Sequence, residues 1–136
     1  MVLFLVSRYQ KISTAIMQNK KIIICDDDPG IIDLLEFVLE ETGHNIITER
    51  NSLNIPSLIE KEIPDLLILD LWMPVVSGDQ LLRMIRKNPQ VSEIPVIIIS
   101  ASRDGEAIAN QAGATAFLSK PFDISDLIAT VELHLS

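Results

Sequence analysis

Disulfides, membrane spans and basic charge are what this chain lacks. A single cysteine, Cys25, stands among 136 residues, which excludes an internal disulfide and suits a reducing cytoplasm. Its neighbours Ile22 to Ile24 read as a buried strand, so the thiol is read as an inert core group. Long apolar runs are missing too. Met1 to Val6 is apolar, but six residues are too few for a signal-peptide core or a membrane span, and no basic segment precedes them. Positive charge is scarce: 11 Lys and Arg stand against 19 Asp and Glu, for a formal net charge of -8. A field of that sign repels phosphate backbones, so direct nucleic-acid binding is not expected. Repeats, low-complexity tracts and an internal linker are absent. With 48% hydrophobic residues, the chain has enough apolar material for one well-filled core.

What is present begins with an extension, residues 1–19. Its second part, Ser7 to Asn19, carries Arg8 and Lys11 but no acid, and Met17 is a candidate translation start. This segment is expected to pack on the domain or to be disordered, with a membrane or partner anchor as the lesser reading. Residues 20–136 form the domain proper.

From Lys20 onward, short apolar runs alternate with amphipathic segments, the pattern of a parallel sheet covered on both faces. Strands are expected at Lys21–Cys25, Asn45–Glu49, Asp65–Asp70, Pro95–Ser100 and Ala116–Leu118. The first helix runs from Pro29 to about Glu41, with Asp28 as its cap and an apolar stripe of Ile31, Leu34, Leu35, Val38 and Leu39. Gly43 ends it. Further helices are expected at about Pro56–Glu62, Gly78–Lys87, Glu106–Ala112 and, after Asp123, up to Leu135. Five strands alternating with five helices and joined by right-handed crossovers make a doubly wound α/β sheet of order 2-1-3-4-5. In such a sheet, ligands bind at the carboxyl ends of the strands.

Asp26 and Asp27 stand at the end of the first strand, Asp70 at the third, Ser100 at the fourth and Lys120 just past the fifth. These ends share one edge, so three carboxylates, a hydroxyl and an ammonium should converge. Crowded carboxylates disfavour one another's ionisation. A divalent cation and a lysine would offset that cost, and Mg²⁺ suits a site of few carboxylates plus a phosphate. Such a set can receive a phosphoryl group, with Asp70 as nucleophile forming an acyl phosphate.

The motifs Asp26-Asp27, Asp70 with Met73-Pro74 and Gly78, Ser100-Ala101 and Lys120-Pro121 occur in order along about Lys20 to Leu135. The chain so patterned resembles the receiver domain of two-component response regulators, of the flavodoxin-like fold. The resemblance implies that Asp70 is the phosphoacceptor. It implies that Mg²⁺ is bound directly by Asp27, through water by Asp26, and by Asp70 and the Trp72 backbone carbonyl. Lys120 would pair with a phosphoryl oxygen, and Ser100 would bond to the phosphoryl group and draw its loop inward. Phe117 would be the switch aromatic. The altered surface would be the fourth helix, fifth strand and fifth helix. The donor would be a phosphohistidine on a sensor histidine kinase or a histidine phosphotransfer protein. No output domain is expected after the fifth helix, so output would come from docking a partner or from passing the group to another histidine.

Other readings compete. A phosphorylation-independent scaffold would keep the fold without the chemistry. A haloacid-dehalogenase-like phosphatase would place its nucleophile on the first strand, in a pattern that Asp26-Asp27-Asp28-Pro29-Gly30 does not have. A plain Ca²⁺ or Mg²⁺ site would gain nothing from Lys120. His44 and His134 are read as solvated surface residues, Asp28 as a cap, and Phe117 as simple core in a short buried strand is a rival to its switch role. The domain is expected to be a monomer or weak dimer.

Two positions tune hydrolysis by the same resemblance, Trp72 and Ser102. Trp72 is bulky for its place and is expected to shield the acyl phosphate from in-line water. Replacing it with Ala or Asn should speed dephosphorylation, measured as loss of the phosphorylated form over time; an unchanged rate would remove the shield.

Overall fold

The structure is a computed structural model that describes residues 19–135. The expectations for the extension therefore lie almost wholly outside the described residues. Five strands are present: β1 (Lys21–Cys25), β2 (Asn45–Glu49), β3 (Leu66–Asp70), β4 (Val96–Ser100) and β5 (Ala116–Ser119). They alternate with α1 (Pro29–Glu40), α2 (Ile55–Glu62), α3 (Gly78–Lys87), α4 (Gly105–Ala112) and α5 (Ile124–Leu135). A short 3-10 turn, Ser52–Asn54, leads into α2. All pairings are parallel and the order is β2-β1-β3-β4-β5, as the alternation of elements requires.

Strand alternation divides the core into two layers. Ile22 and Ile24, Leu66 and Ile68, and Ile97 and Ile99 face α1 and α5. Ile23 and Cys25, Leu67 and Leu69, and Val96 and Ile98 face α2, α3 and α4. Every one of these twelve side chains is fully buried, and each such burial contributes on the order of 1.5–3 kcal/mol. The registers Ile22↔Leu66 and Leu67↔Val96 keep the faces in phase across the sheet. Cys25 lies in this core, and burial first, then the nearby Glu49 and Asp26, push its thiol up to about 12, which makes it unreactive. Among the described residues no helix is long and apolar enough to cross a membrane.

Helix α1 starts as its sequence requires: the Asp28 carboxylate accepts the Gly30 N–H at 2.8 Å, and Pro29 opens the first turn. The stripe differs from the expected one. Ile32 is buried beside Leu35, Val38 and Leu39, whereas Leu34 is 40% exposed. Leu34 falls at the edge of the packed face, where a leucine and a surface residue give the same periodic signal. Strand β5 is the sheet's edge, as the order 2-1-3-4-5 implies, but it is half-buried where a buried strand was expected.

His44 is the clearest correction. It is no solvated surface residue but 6% exposed. Its Nδ1 accepts the Lys20 N–H at 3.2 Å, and its Nε2 meets the Glu132 carboxylate at 2.7 Å. The partner lies 88 positions along the chain on α5, so nothing near His44 in sequence announces it. The other Glu132 oxygen is buried with no hydrogen-bond partner. His44→Ala should strand that carboxylate and cost about 3 kcal/mol, read as a lower urea midpoint. An unchanged midpoint would show that the pair contributes nothing.

Candidate functional site

The site forms where β1, β3, β4 and β5 end. β1, β3 and β4 deliver their polar groups one position past the last apolar residue and β5 delivers Lys120 two positions past Leu118, so the apolar runs themselves aim the polar side chains. Asp26 follows Cys25 and has no exposed surface; Asp70 closes β3 and is 7% exposed; Ser100 closes β4 and is 1% exposed. Asp27 stays in solvent at the mouth. Carboxylate oxygens of Asp26, Asp27 and Asp70 lie within 4.8 Å of one another.

Lys120 holds the two buried acids together. Its Nζ donates to Asp26 Oδ2 at 3.0 Å and to Asp70 Oδ1 at 3.2 Å. Asp26 Oδ1 accepts the Asp28 N–H at 2.9 Å, so that carboxylate is fixed from both sides. Lys120 is placed by its own N–H, which donates to the Ser100 carbonyl at 2.9 Å, and its bond to Pro121 is cis.

One shared ammonium does not neutralise two carboxylates. Burial first, then the Asp26 charge, raise Asp70 from 3.8 to about 6, against the opposing pull of Lys120. For Lys120, burial pulls the pKa down, but its bonds and charges with Asp26 and Asp70 outweigh this and the net direction is up. The pocket is thus short of positive charge, and its hard oxygen donors fit Mg²⁺.

Two glycines make room. A Cβ at Gly78 would lie 2.3 Å from the Asp70 carbonyl oxygen, so only glycine lets α3 begin against the end of β3. The Gly78 N–H in turn donates to Leu71 O at 2.8 Å and pins the loop between them. At Gly105 a Cβ would lie 2.9 Å from Ser100 Oγ and 3.0 Å from Ser102 Oγ. Sequence reasoning passed over Gly105 and began its helix one residue later. The available signal was a glycine opening a helix a few residues after Ser100 and Ser102.

The remaining predicted residues fall around this centre. Trp72 is 52% exposed, and its indole N–H donates to Ser102 Oγ at 3.0 Å. Ser102 Oγ in turn meets Ser100 Oγ at 2.9 Å. Phe117 is half-buried on β5 and packs against the layer under α2, α3 and α4. His44 lies elsewhere, paired to Glu132.

Residues 22–132 match the response regulator receiver domain. The chain belongs to that family. An uncharacterized 14.6 kDa protein of Leptolyngbya boryana is 34% identical over 115 residues, covering 83% of this receiver and 88% of the relative. The receiver domain of NtrX from Brucella abortus is 33% identical, with a TM-score of 0.77 over 84% of this receiver and 97% of that chain. The receiver domain of a Pseudomonas aeruginosa sensor histidine kinase shares the fold at 22% identity and a TM-score of 0.80, over 87% and 98% of the two chains. That protein's structure holds a magnesium ion in its active-site cleft. Receiver domains are signalling switches, and the present one has the five-stranded flavodoxin-like fold expected of them.

The raised Asp70 pKa makes the receiver's metal-free stability depend on pH. Unfolded, Asp70 loses its proton near 3.8; folded, it keeps it to about 6. Between those values the folded state binds more protons, so stability falls as pH rises from about 4 to 6, and the loss persists above. With a chelator at pH 7.5, Asp70→Asn should therefore melt about 3–6 °C higher than wild type, and the gain should shrink towards pH 5. Asp27→Ala should raise the melting temperature in the same direction. A lower Tm for both variants at pH 7.5 would contradict the crowded-acid picture.

Proposed function

We propose that the receiver is a phosphoacceptor switch, with Asp70 taking a phosphoryl group from a phosphohistidine on a sensor histidine kinase or a histidine phosphotransfer protein. The observation that carries this reading is the Asp70 carboxylate 3.2 Å from the Lys120 ammonium at the end of the central strand, with Asp26 and Asp27 beside it. A pure cation site has no use for that lysine, and a scaffold has no use for a destabilising set of acids.

Asp26, Asp27, Asp70 and the Trp72 backbone carbonyl would hold Mg²⁺. When bound, the ion supplies positive charge to the carboxylates and to the phosphoryl oxygens. The protein's own groups do the rest. An Asp70 carboxylate oxygen attacks phosphorus, the new O–P bond forms as the donor's N–P bond breaks, and the electron pair leaves on the imidazole nitrogen. Lys120, already on Asp70, turns to a phosphoryl oxygen and spreads its charge. Burial of Asp70 and Ser100 keeps bulk water from the reacting edge. Ser100 then bonds to the phosphoryl group, Phe117 turns inward, and α4, β5 and α5 present the altered surface to a downstream protein or to a histidine that takes the group onward. The receiver would act in the cytoplasm as a monomer or weak dimer without direct contact to nucleic acid or membrane, and would lose its phosphoryl group slowly by itself.

Intact mass after incubation with Mg²⁺ and acetyl phosphate tests the reading. A single phosphoryl adduct should form on wild type and be missing from Asp70→Asn, from Lys120→Ala at short times, and from a chelated control. No adduct on wild type, with a cognate kinase also failing, would favour the phosphorylation-independent scaffold.

A further inference from the structure

Ser100 is the group that must move in the switch just proposed, and its surroundings show what holds it at rest. Its hydroxyl is buried, and the hydrogen bonds it makes are to Ser102: the Ser102 N–H donates to Ser100 Oγ at 3.1 Å, and the two hydroxyls meet at 2.9 Å. A hydroxyl has one proton to give and two lone pairs to accept with. The buried Ser100 proton needs an acceptor, because an unsatisfied buried donor is costly. Among the described residues, Ser102 Oγ is the acceptor it meets.

Trp72 decides where that acceptor sits. An indole N–H only donates, so the 3.0 Å bond from Trp72 Nε1 occupies one lone pair of Ser102 Oγ, and Ser100 occupies the other. The proton of Ser102 itself is then left to solvent, which its half-exposed position allows. Gly105 closes the fourth side, with space for no Cβ beside either oxygen. A residue on the loop after β3 thus reaches across the mouth of the pocket and fixes a residue on the loop after β4, 30 positions away.

We propose that Trp72 is a positioning residue of the switch: through Ser102 it latches the Ser100 hydroxyl in its resting direction. This rests on the phosphoacceptor reading and adds its regulation. For Ser100 to donate to a phosphoryl oxygen on Asp70, its bond to Ser102 must break, and the indole bond stiffens that resistance. The latch sets the balance between resting and switched forms. It is separate from the shielding of the acyl phosphate by the ring, since the latch needs only the N–H.

Trp72→Phe keeps a ring and the backbone carbonyl but removes the N–H, whereas Ser102→Ala removes the latch at its middle. Beryllofluoride with Mg²⁺ serves as a non-hydrolysing stand-in for the phosphoryl group, and the single tryptophan gives one indole N–H signal by NMR. In the free protein, Ser102→Ala should shift that signal. Adding Mg²⁺ and beryllofluoride to wild type should move it towards the same position. Trp72→Phe and Ser102→Ala should each tighten beryllofluoride binding by about three- to tenfold, the worth of one net hydrogen bond. The double variant should gain no more than the better single one, because both break one chain. Ser102→Thr, which keeps the hydroxyl, should bind like wild type. If wild type binds beryllofluoride while Trp72→Phe stays within twofold of it and the indole signal does not move, the latch is wrong and the phosphoacceptor reading stands. If wild type binds none, both fall together.

Discussion

Everything at the strand ends depends on one ammonium shared by two buried carboxylates. Lys120 Nζ bridges Asp26 and Asp70 at 3.0 and 3.2 Å, and neither acid has another cation beside it among the described contacts. Two negative charges against one leave a net deficit inside a site that is largely closed to water. Burial first, and then that deficit, lift Asp70 towards neutrality, and together they favour an added cation. The same imbalance that is a liability at rest is what a divalent ion, with its two positive charges, can relieve. Stability has been given up at the place where the molecule has to respond.

The sheet supplies the geometry for this. Ile22–Cys25 of β1, Leu66–Leu69 of β3 and Val96–Ile99 of β4 are apolar and buried, so the change from apolar to polar at Asp26, Asp70 and Ser100 occurs at one level of the sheet. Close backbone packing at Gly78 then brings the next helix against the Asp70 carbonyl, which keeps the loop carrying Trp72 tight over the pocket. The loops are therefore held by the strands and by each other: Ser52 Oγ donates to the Pro74 carbonyl at 3.2 Å, and Trp72 reaches Ser102.

Much of this was legible in the sequence because the strands announce themselves. A run such as Leu-Leu-Ile-Leu followed by Asp70 states both a buried strand and the position of its polar end, and topology rules then bring such ends together. The strand order and the convergence of Asp26, Asp27, Asp70, Ser100 and Lys120 follow from that logic. What escaped were features that exist only in three dimensions. His44 looked like a loop residue because its partner Glu132 lies on the far end of the chain. Leu34 fitted the helical period yet fell at the edge of the packed face. Trp72 and Ser102 were marked out separately, but no spacing rule says that an indole and a hydroxyl 30 residues apart share a hydrogen bond. Gly105 offered only a glycine opening a helix soon after Ser100 and Ser102, and what it accommodates shows only once those oxygens are in place.

Strand β5 shows how far the apolar pattern reaches into the chemistry. Ser119 pairs with Ser100, so Lys120 is the first residue beyond the ladder. Ala116 and Leu118 point to one layer of the core and Phe117 to the other. A slip of one residue in this edge strand would turn Phe117 to the wrong layer and carry the ammonium off by a full residue length, some 3.3 Å, about the whole of its present distance to Asp70. The greasy side chains of β5 therefore act as the ruler for the electrostatics: three residues with no charge of their own decide whether a charge arrives.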